Sequence, residues 1–184
     1  MENFDLLTHV QPPDGWFCVL GIDGTHVDQR NVATREEVDD IAKGFVGAKK
    51  DVYFGVAKFK SSKGRKKDDV LALKAFWLDI DCGLIKAQVN SKTGRPDGYK
   101  DQAAGAAKLK DFCEVVGLPA PTIVNSGRGL HVYWVMDTVL TREQWEPVAA
   151  RFRQVCEAQE FYVDPNVFEV ARVLRLPGTY NFKD

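Results

Sequence analysis

The stretch Ala75-Phe76-Trp77-Leu78-Asp79-Ile80-Asp81-Cys82-Gly83 carries an apolar run into two carboxylates. Its short length and its aromatic and branched residues predict a buried strand. Side chains at i and i+2 of a strand share a face, so Asp79 and Asp81 project together while Ile80 points the other way. Neighbouring carboxylates repel each other, and a divalent cation between them removes the repulsion. Hard oxygen donors favour magnesium or manganese over zinc. The competing reading is a pair of exposed aspartates at a strand end that turns at Gly83.

Around this strand, 184 residues fit one domain with room for a core, and 45% hydrophobic and 28% charged residues are ordinary for a globular protein. No apolar stretch approaches the roughly 20 residues that span a bilayer. The start, Met1-Glu2-Asn3-Phe4-Asp5, is unlike a secretory signal. Cys18, Cys82, Cys113 and Cys156 are scattered without a Cys-x-x-Cys pair, which argues against a zinc knuckle or a disulfide scaffold and for a reduced, cytoplasmic setting. The net charge of −1 is not that of a typical nucleic-acid binder, but Lys58, Lys60, Lys63, Arg65, Lys66 and Lys67 are concentrated in one segment. That segment reads as a mobile basic loop, either simply solvated or serving as a phosphate-contacting arm beside the carboxylate strand.

Strands and helices alternate along the chain. Trp16 to Ile22 reads as a strand ended by Asp23-Gly24, and Thr34 to Val46 as a helix opened by a Thr34/Glu37 capping box. Asp51 to Phe59 reads as a strand, and Leu71 to Asp81 includes the carboxylate strand. Leu84 to Tyr99, turn-rich and polar, reads as a flexible loop. Asp101 to Val116 is an alanine-rich helix stopped by Gly117 and Pro119. Pro121 to Asn125 and Leu130 to Met136 form a hairpin, and Thr141 to Gln159 a helix with a bend expected at Pro147. Phe161 to Val163 reads as a short strand, followed by a brief helix from Pro165 to Ala171. The expected class is α+β, with a mostly antiparallel sheet and flanking helices.

Two further segments carry chemistry. In Ser126-Gly127-Arg128-Gly129-Leu130-His131, glycines flanking an arginine allow a tight turn with backbone amides open to an anion. His131, Tyr133 and Val135 face one side of the returning strand, Val132 and Trp134 the other. An ordinary glycine turn with a partly buried histidine is the competing account. In Val163-Asp164-Pro165-Asn166, Asp164 is well placed as a helix cap with proline at the first helical position. Arg172 and Arg175 would share a face on a helical turn, in a form suited to phosphate oxygens.

In this order and spacing the segments resemble the catalytic core of the archaeo-eukaryotic primase superfamily, especially phage and plasmid primase-polymerases. Phe76 to Asp81 resembles its Asp-x-Asp metal motif, and Ser126 to His131 its serine-histidine phosphate motif. Asp164 falls at the third carboxylate, and Arg172 to Thr179 resembles the tail of related phage domains. The likeness spans roughly residues 50 to 183. It implies an RNA-recognition-motif-like catalytic sheet with flanking helices and an additional α/β half. It also implies template-directed nucleotidyl transfer in phage or plasmid replication, as a DNA primase, a DNA polymerase or both. Asp79, Asp81 and Asp164 would hold two Mg2+ or Mn2+ ions roughly 3.5–4 Å apart. Ser126, Gly127, Arg128, Gly129 and His131 would bind the nucleotide phosphates, with Arg172, Arg175 and Lys183 as further contacts. Lys63, Arg65, Lys66 and Lys67 would meet nucleic acid.

The implied partners are nucleoside triphosphates, a single-stranded DNA template with its primer, and a helicase domain or protein, with no membrane. The expected setting is the cytoplasm of a bacterial, archaeal or phage-infected cell. The expected organisation is a single catalytic domain over residues 1–184, the N-terminal part of a longer protein. A metal-dependent nuclease could use the same carboxylates but has less need of the phosphate turn. A noncatalytic RNA-recognition-motif-like module would present aromatic side chains on its sheet face rather than carboxylates. A rolling-circle initiator needs paired metal-binding histidines, whereas His9, His26 and His131 lie far apart in the chain.

Overall fold

The computed structural model describes residues 5–182. It is α+β, with helices flanking two four-stranded sheets, and every strand pairing with a recorded register is antiparallel. One sheet has the order β2-β1-β3-β8, built from β1 (Phe17–Asp23), β2 (His26–Val32), β3 (Asp51–Gly55) and β8 (Val173–Arg175). The other has the order β4-β5-β7-β6, built from β4 (Lys58–Phe59), β5 (Val70–Asp81), β6 (Thr122–Asn125) and β7 (Gly129–Leu140). The helices are α1 (Leu6–Val10), α2 (Arg35–Gly47), α3 (Gln102–Val116) and α4 (Arg142–Ala158). The residues fall into two compact units, one of Met1–Ala75, Met136–Trp145 and Val170–Asp184, the other of Phe76–Val135 and Glu146–Glu169.

In the first unit, α2 begins with the expected capping box: the Glu37 amide donates to Thr34 Oγ1 and Glu37 Oε2 accepts from the Thr34 amide. Val38, Ala42 and Phe45 are its buried stripe. The expected strand from Asp51 to Phe59 is two strands, because the chain leaves β3 after Gly55 and re-pairs only at Lys58. The basic segment is not a bare loop. It closes on a 3-10 turn at Lys67–Asp69, where the Lys66 amide donates to Asp69 Oδ2 at 2.7 Å. Asn31 Nδ2 donates to the carbonyls of Ser61 and Gly64, and the Arg65 guanidinium donates to the Ala171 carbonyl at 2.7 Å.

Arg172 and Arg175 depart from the expected helical turn. Arg175 ends strand β8 and Arg172 lies just before that strand, so the two share no helical face. Arg175 is only 8% exposed and is bound internally. It donates to Asp51 Oδ1 at 2.9 Å, to the Tyr180 carbonyl at 2.9 Å and to the Tyr53 hydroxyl at 3.1 Å.

Lys58 is a buried cation, its ammonium 2.9 Å from the centre of the Phe17 ring. Burial, partly offset by the charge of Asp14, pushes its pKa down from 10.5 to about 8. Between these values the unfolded chain binds more protons than the folded one, so stability rises with pH across that window. Below it, Lys58 is charged in both states and adds no slope. Urea unfolding at pH 7.5 to 10 should therefore show the wild type gaining on Lys58→Met as pH increases; parallel curves would refute the assignment.

The second unit is fastened by aromatic residues. Phe112 stacks on Phe161 at 4.5 Å, and Phe152 meets the edges of Trp134 and Phe168 at 5.3 and 6.1 Å. Helix α3 ends, as its sequence predicts, at left-handed Gly117, and Asp101 is its N-cap rather than its first residue. Helix α4 runs through Pro147 without a break in its assignment. Phe161 to Val163 is not a strand; it is an extended connection whose Tyr162 amide donates to the Tyr99 hydroxyl at 3.0 Å.

Candidate active site

The C-terminal end of β5 carries Asp79 and Asp81, and the turn that holds Asp164 lies against it within the second unit. The Asp164 amide donates to the Asp79 carbonyl at 2.9 Å, and the Trp77 indole donates to the Val167 carbonyl at 2.8 Å. Two bonds therefore dock the Asp164 turn along β5. Asp164 is also the cap its sequence predicts, with Oδ1 accepting from the amide and the side chain of Asn166 at 2.9 and 3.1 Å. Both readings of this residue are compatible, because capping engages one carboxylate oxygen and docking uses its backbone.

His131 on β7 is 4% exposed, with Nε2 3.7 Å from Asp79 Oδ1. Tyr133, two residues on and on the same face, is fully buried. Burial, reinforced by the charge of Asp79, raises its pKa well above the ordinary value. The strand alternation read from sequence thus brings His131 and Tyr133 to Asp79.

The turn between β6 and β7 is held from several sides. Gly127 has φ +95°, a conformation glycine adopts without penalty. The Ser126 amide donates to the Gly129 carbonyl at 3.0 Å and the Gly127 amide to Asn125 Oδ1 at 2.7 Å. These two amides are therefore not open to an anion as expected. Arg128 is exposed at the tip. Gln102, the first residue of α3, donates to Asn125 Oδ1 at 2.8 Å and to the Gly129 carbonyl at 3.2 Å. Nothing in the local sequence marks Gln102, since its role exists only once α3 packs beside the hairpin.

Asp81 is gripped through its backbone. A Cβ at Gly129 would overlap the Ile80 carbonyl oxygen and lie 3.3 Å from Asp81 Cα; a Cβ at Gly98 would overlap the Asp81 carbonyl oxygen. The Cys82 amide donates to the Arg128 carbonyl at 2.9 Å, and the Tyr99 amide to the Asp81 carbonyl at 3.0 Å. The chain returns twice to the same residue, and each return depends on a missing side chain. Gly129→Ala should destabilise the fold by about 1–3 kcal/mol, since the clash is with backbone that cannot rotate away. Urea denaturation would measure this, and an unchanged midpoint would show that the approach is not tight.

Lys86 is a further residue at this site that sequence reasoning missed. Its ammonium lies 2.7 Å from Asp81 Oδ2. That hydrogen bond, joined by the charges of Asp81, Asp97 and Asp164, raises its pKa. Asp81, Lys86 and Asp164 line one cleft of about 260 Å³ together with Arg95, Arg153 and Tyr162. Among the described residues, no three His, Cys, Asp or Glu side chains are grouped so that they could hold a metal ion. The donor chemistry still fits a hard divalent cation. It consists of carboxylate oxygens, and an ammonium already occupies the negative field they create.

Of the other predicted site residues, Lys63, Arg65, Lys66, Lys67, Arg172 and Arg175 belong to the first unit. Lys183 lies outside the described residues.

The AEP domain of the cyanophage S-2L primase-polymerase is similar over 88% of this chain and 72% of its own length, with a TM-score of 0.56 and 18% identity. The chain shares the fold of that domain. The polymerase domain of Mycobacterium tuberculosis ligase D, solved with DNA, aligns with the whole chain and 63% of its own at 15% identity and a TM-score of 0.47. A replication protein of Clostridium perfringens is 24% identical over 121 residues, 65% of this chain. The matched part is 26% of that relative's length. No family model matches the sequence. The segments from Phe76 to Asp81, from Ser126 to His131 and at Asp164 fall in one compact unit. No helix among the described residues is long and apolar enough to cross a membrane.

Proposed function

We propose that this chain is a template-directed nucleotidyltransferase, a DNA primase or polymerase of phage or plasmid replication. The observation that carries the reading is the docking of Asp164 on Asp79 beside Asp81, with His131 facing Asp79. The primase-polymerase fold and the resemblance to a replication protein support it. Asp79, Asp81 and Asp164 would hold Mg2+ or Mn2+. The bound ions would supply the positive charge that acidifies a primer 3′-hydroxyl and neutralises the leaving pyrophosphate.

The remaining work falls to this chain's own side chains. Arg128, exposed on the turn, reaches for the phosphates of the incoming nucleotide with a planar fork of donors. Ser126 adds a hydroxyl donor. His131, fixed by burial, orients Asp79 from one side and offers its imidazole to a phosphate oxygen. Rigid placement lowers the barrier by alignment, and the polar groups need little reorganisation as charge develops. Release of Asp81 by Lys86 is the local rearrangement that cation binding requires.

The test is synthesis on a single-stranded template with Mg2+ or Mn2+, with and without a primer, using ribonucleotides and deoxynucleotides separately. Extension of the primer, or new chains in its absence, is the expected result. Shortening of the primer would identify a nuclease, and no product under any condition would overturn the reading.

A further inference from the structure

The segment from Leu84 to Tyr99, expected as a flexible loop, is internally tied. The amides of Asp97 and Gly98 both donate to the Lys86 carbonyl at 3.0 Å, and Asn90 Nδ2 donates to Asp97 Oδ2 at 2.8 Å. Its two ends are joined where the Gly83 amide donates to the Tyr99 carbonyl at 2.8 Å. On this mount, Leu84 is 77% exposed, Ile85 84% and Val89 66%. Leu84 and Ile85 are the two most exposed large hydrophobic residues described. Single exposed aliphatic residues are common, but a tied loop that displays adjacent ones invites a partner.

The position and charge of the loop identify that partner. The next residue, Lys86, touches the Asp81 carboxylate, so the tip stands one residue from the candidate catalytic pair. Lys86, Lys92, Arg95 and Lys100 face a single acidic residue of the loop, Asp97. Lys92, Arg95 and Lys100 are exposed. An exposed aliphatic pair on a loop rich in exposed basic residues matches the flat face of a base and the phosphates on either side of it. Aliphatic side chains act in this way where they wedge against unstacked bases.

We propose that Leu84 and Ile85 form a base-contacting wedge. It holds an unstacked nucleobase of the DNA substrate beside Asp81, while Lys92, Arg95 and Lys100 contact the flanking phosphates. The inference rests on the nucleotidyltransferase reading for its substrate class, but it is tested without catalysis.

The experiment measures anisotropy of a labelled single-stranded oligonucleotide, and emission of 2-aminopurine in the template of a primed duplex, with no nucleotides present. The full chain is compared with Leu84→Ser/Ile85→Ser and with Lys92→Ala/Arg95→Ala. Because all four side chains are exposed, both variants should keep the wild-type melting temperature. The serine variant should bind roughly tenfold more weakly at an unchanged salt slope. It should also lose the rise in 2-aminopurine emission that marks unstacking. The alanine variant should bind less tightly with a salt slope reduced by about 1–2. Wild-type affinity and emission in the serine variant would overturn the proposal, as would a wild type that does not bind DNA. So would loss of a concentration-dependent dimer in that variant with DNA binding intact, which would make the tip a self-contact. Loop-dependent unstacking by a protein that never extends a primer would leave the wedge standing and remove the nucleotidyltransferase reading. Extension that is indifferent to the tip would do the reverse.

Discussion

Replacing Asp79 and Asp81 together by asparagine should lower primer extension by on the order of 10³-fold or more while the protein stays folded. Asparagine keeps the shape of each side chain and removes only the charge, so the loss isolates electrostatics. Both side chains are partly exposed, and their removal relieves one repulsion while ending the Lys86–Asp81 ion pair. These opposing effects should leave the melting temperature nearly unchanged. The comparison is made with saturating Mn2+ and matched circular dichroism. Extension within tenfold of wild type would place the chemistry elsewhere in the molecule.

Arg175→Ala should have the largest effect on stability, about 3–5 kcal/mol. The guanidinium is the buried counterion of Asp51, which is 3% exposed, and the Phe182 amide at 2.8 Å is the other recorded donor to that carboxylate. Removing the arginine strands a buried negative charge. Replacing the pair together, as Asp51→Leu/Arg175→Met, should recover most of the loss because no charge is then left uncompensated. Urea unfolding of the wild type, both single variants and the double variant measures the coupling directly. A small stability cost with a large fall in nucleotide binding would instead support the phosphate-contact reading of Arg175.

Arg175 also marks the boundary of what the sequence makes legible. Two arginines three apart look alike until the backbone is known, and strand pairing of Val173–Arg175 with β3 sends one inward to Asp51. Strand β5, the capping box at Thr34, helix α3 and the β6–β7 hairpin follow from local patterns, since their side chains alternate or cap within a few residues. Strand β2 has no such signal. His26–Val32 is an edge strand with little burial and only two apolar residues. Phe161 to Val163 has the composition of a strand, but its partners are a tyrosine hydroxyl and, one residue on, the Asp79 carbonyl. The Asp-x-Asp pair and His131 could be singled out from local pattern, and Asp164 as more than a cap only through the family resemblance. Lys86, Gln102 and Gly98 could not, because each acts on a residue brought close only by folding.

The double return of the chain to Asp81 has a practical consequence for finding related sequences. Two aspartates separated by one residue are too common to search with. A pattern that also asks for a bare alpha carbon at each of the two return points, Gly98 and Gly129, tests for backbone geometry rather than for ligands. It would retain distant relatives whose exposed turn side chains have changed, and discard lookalikes that share only the acidic pair.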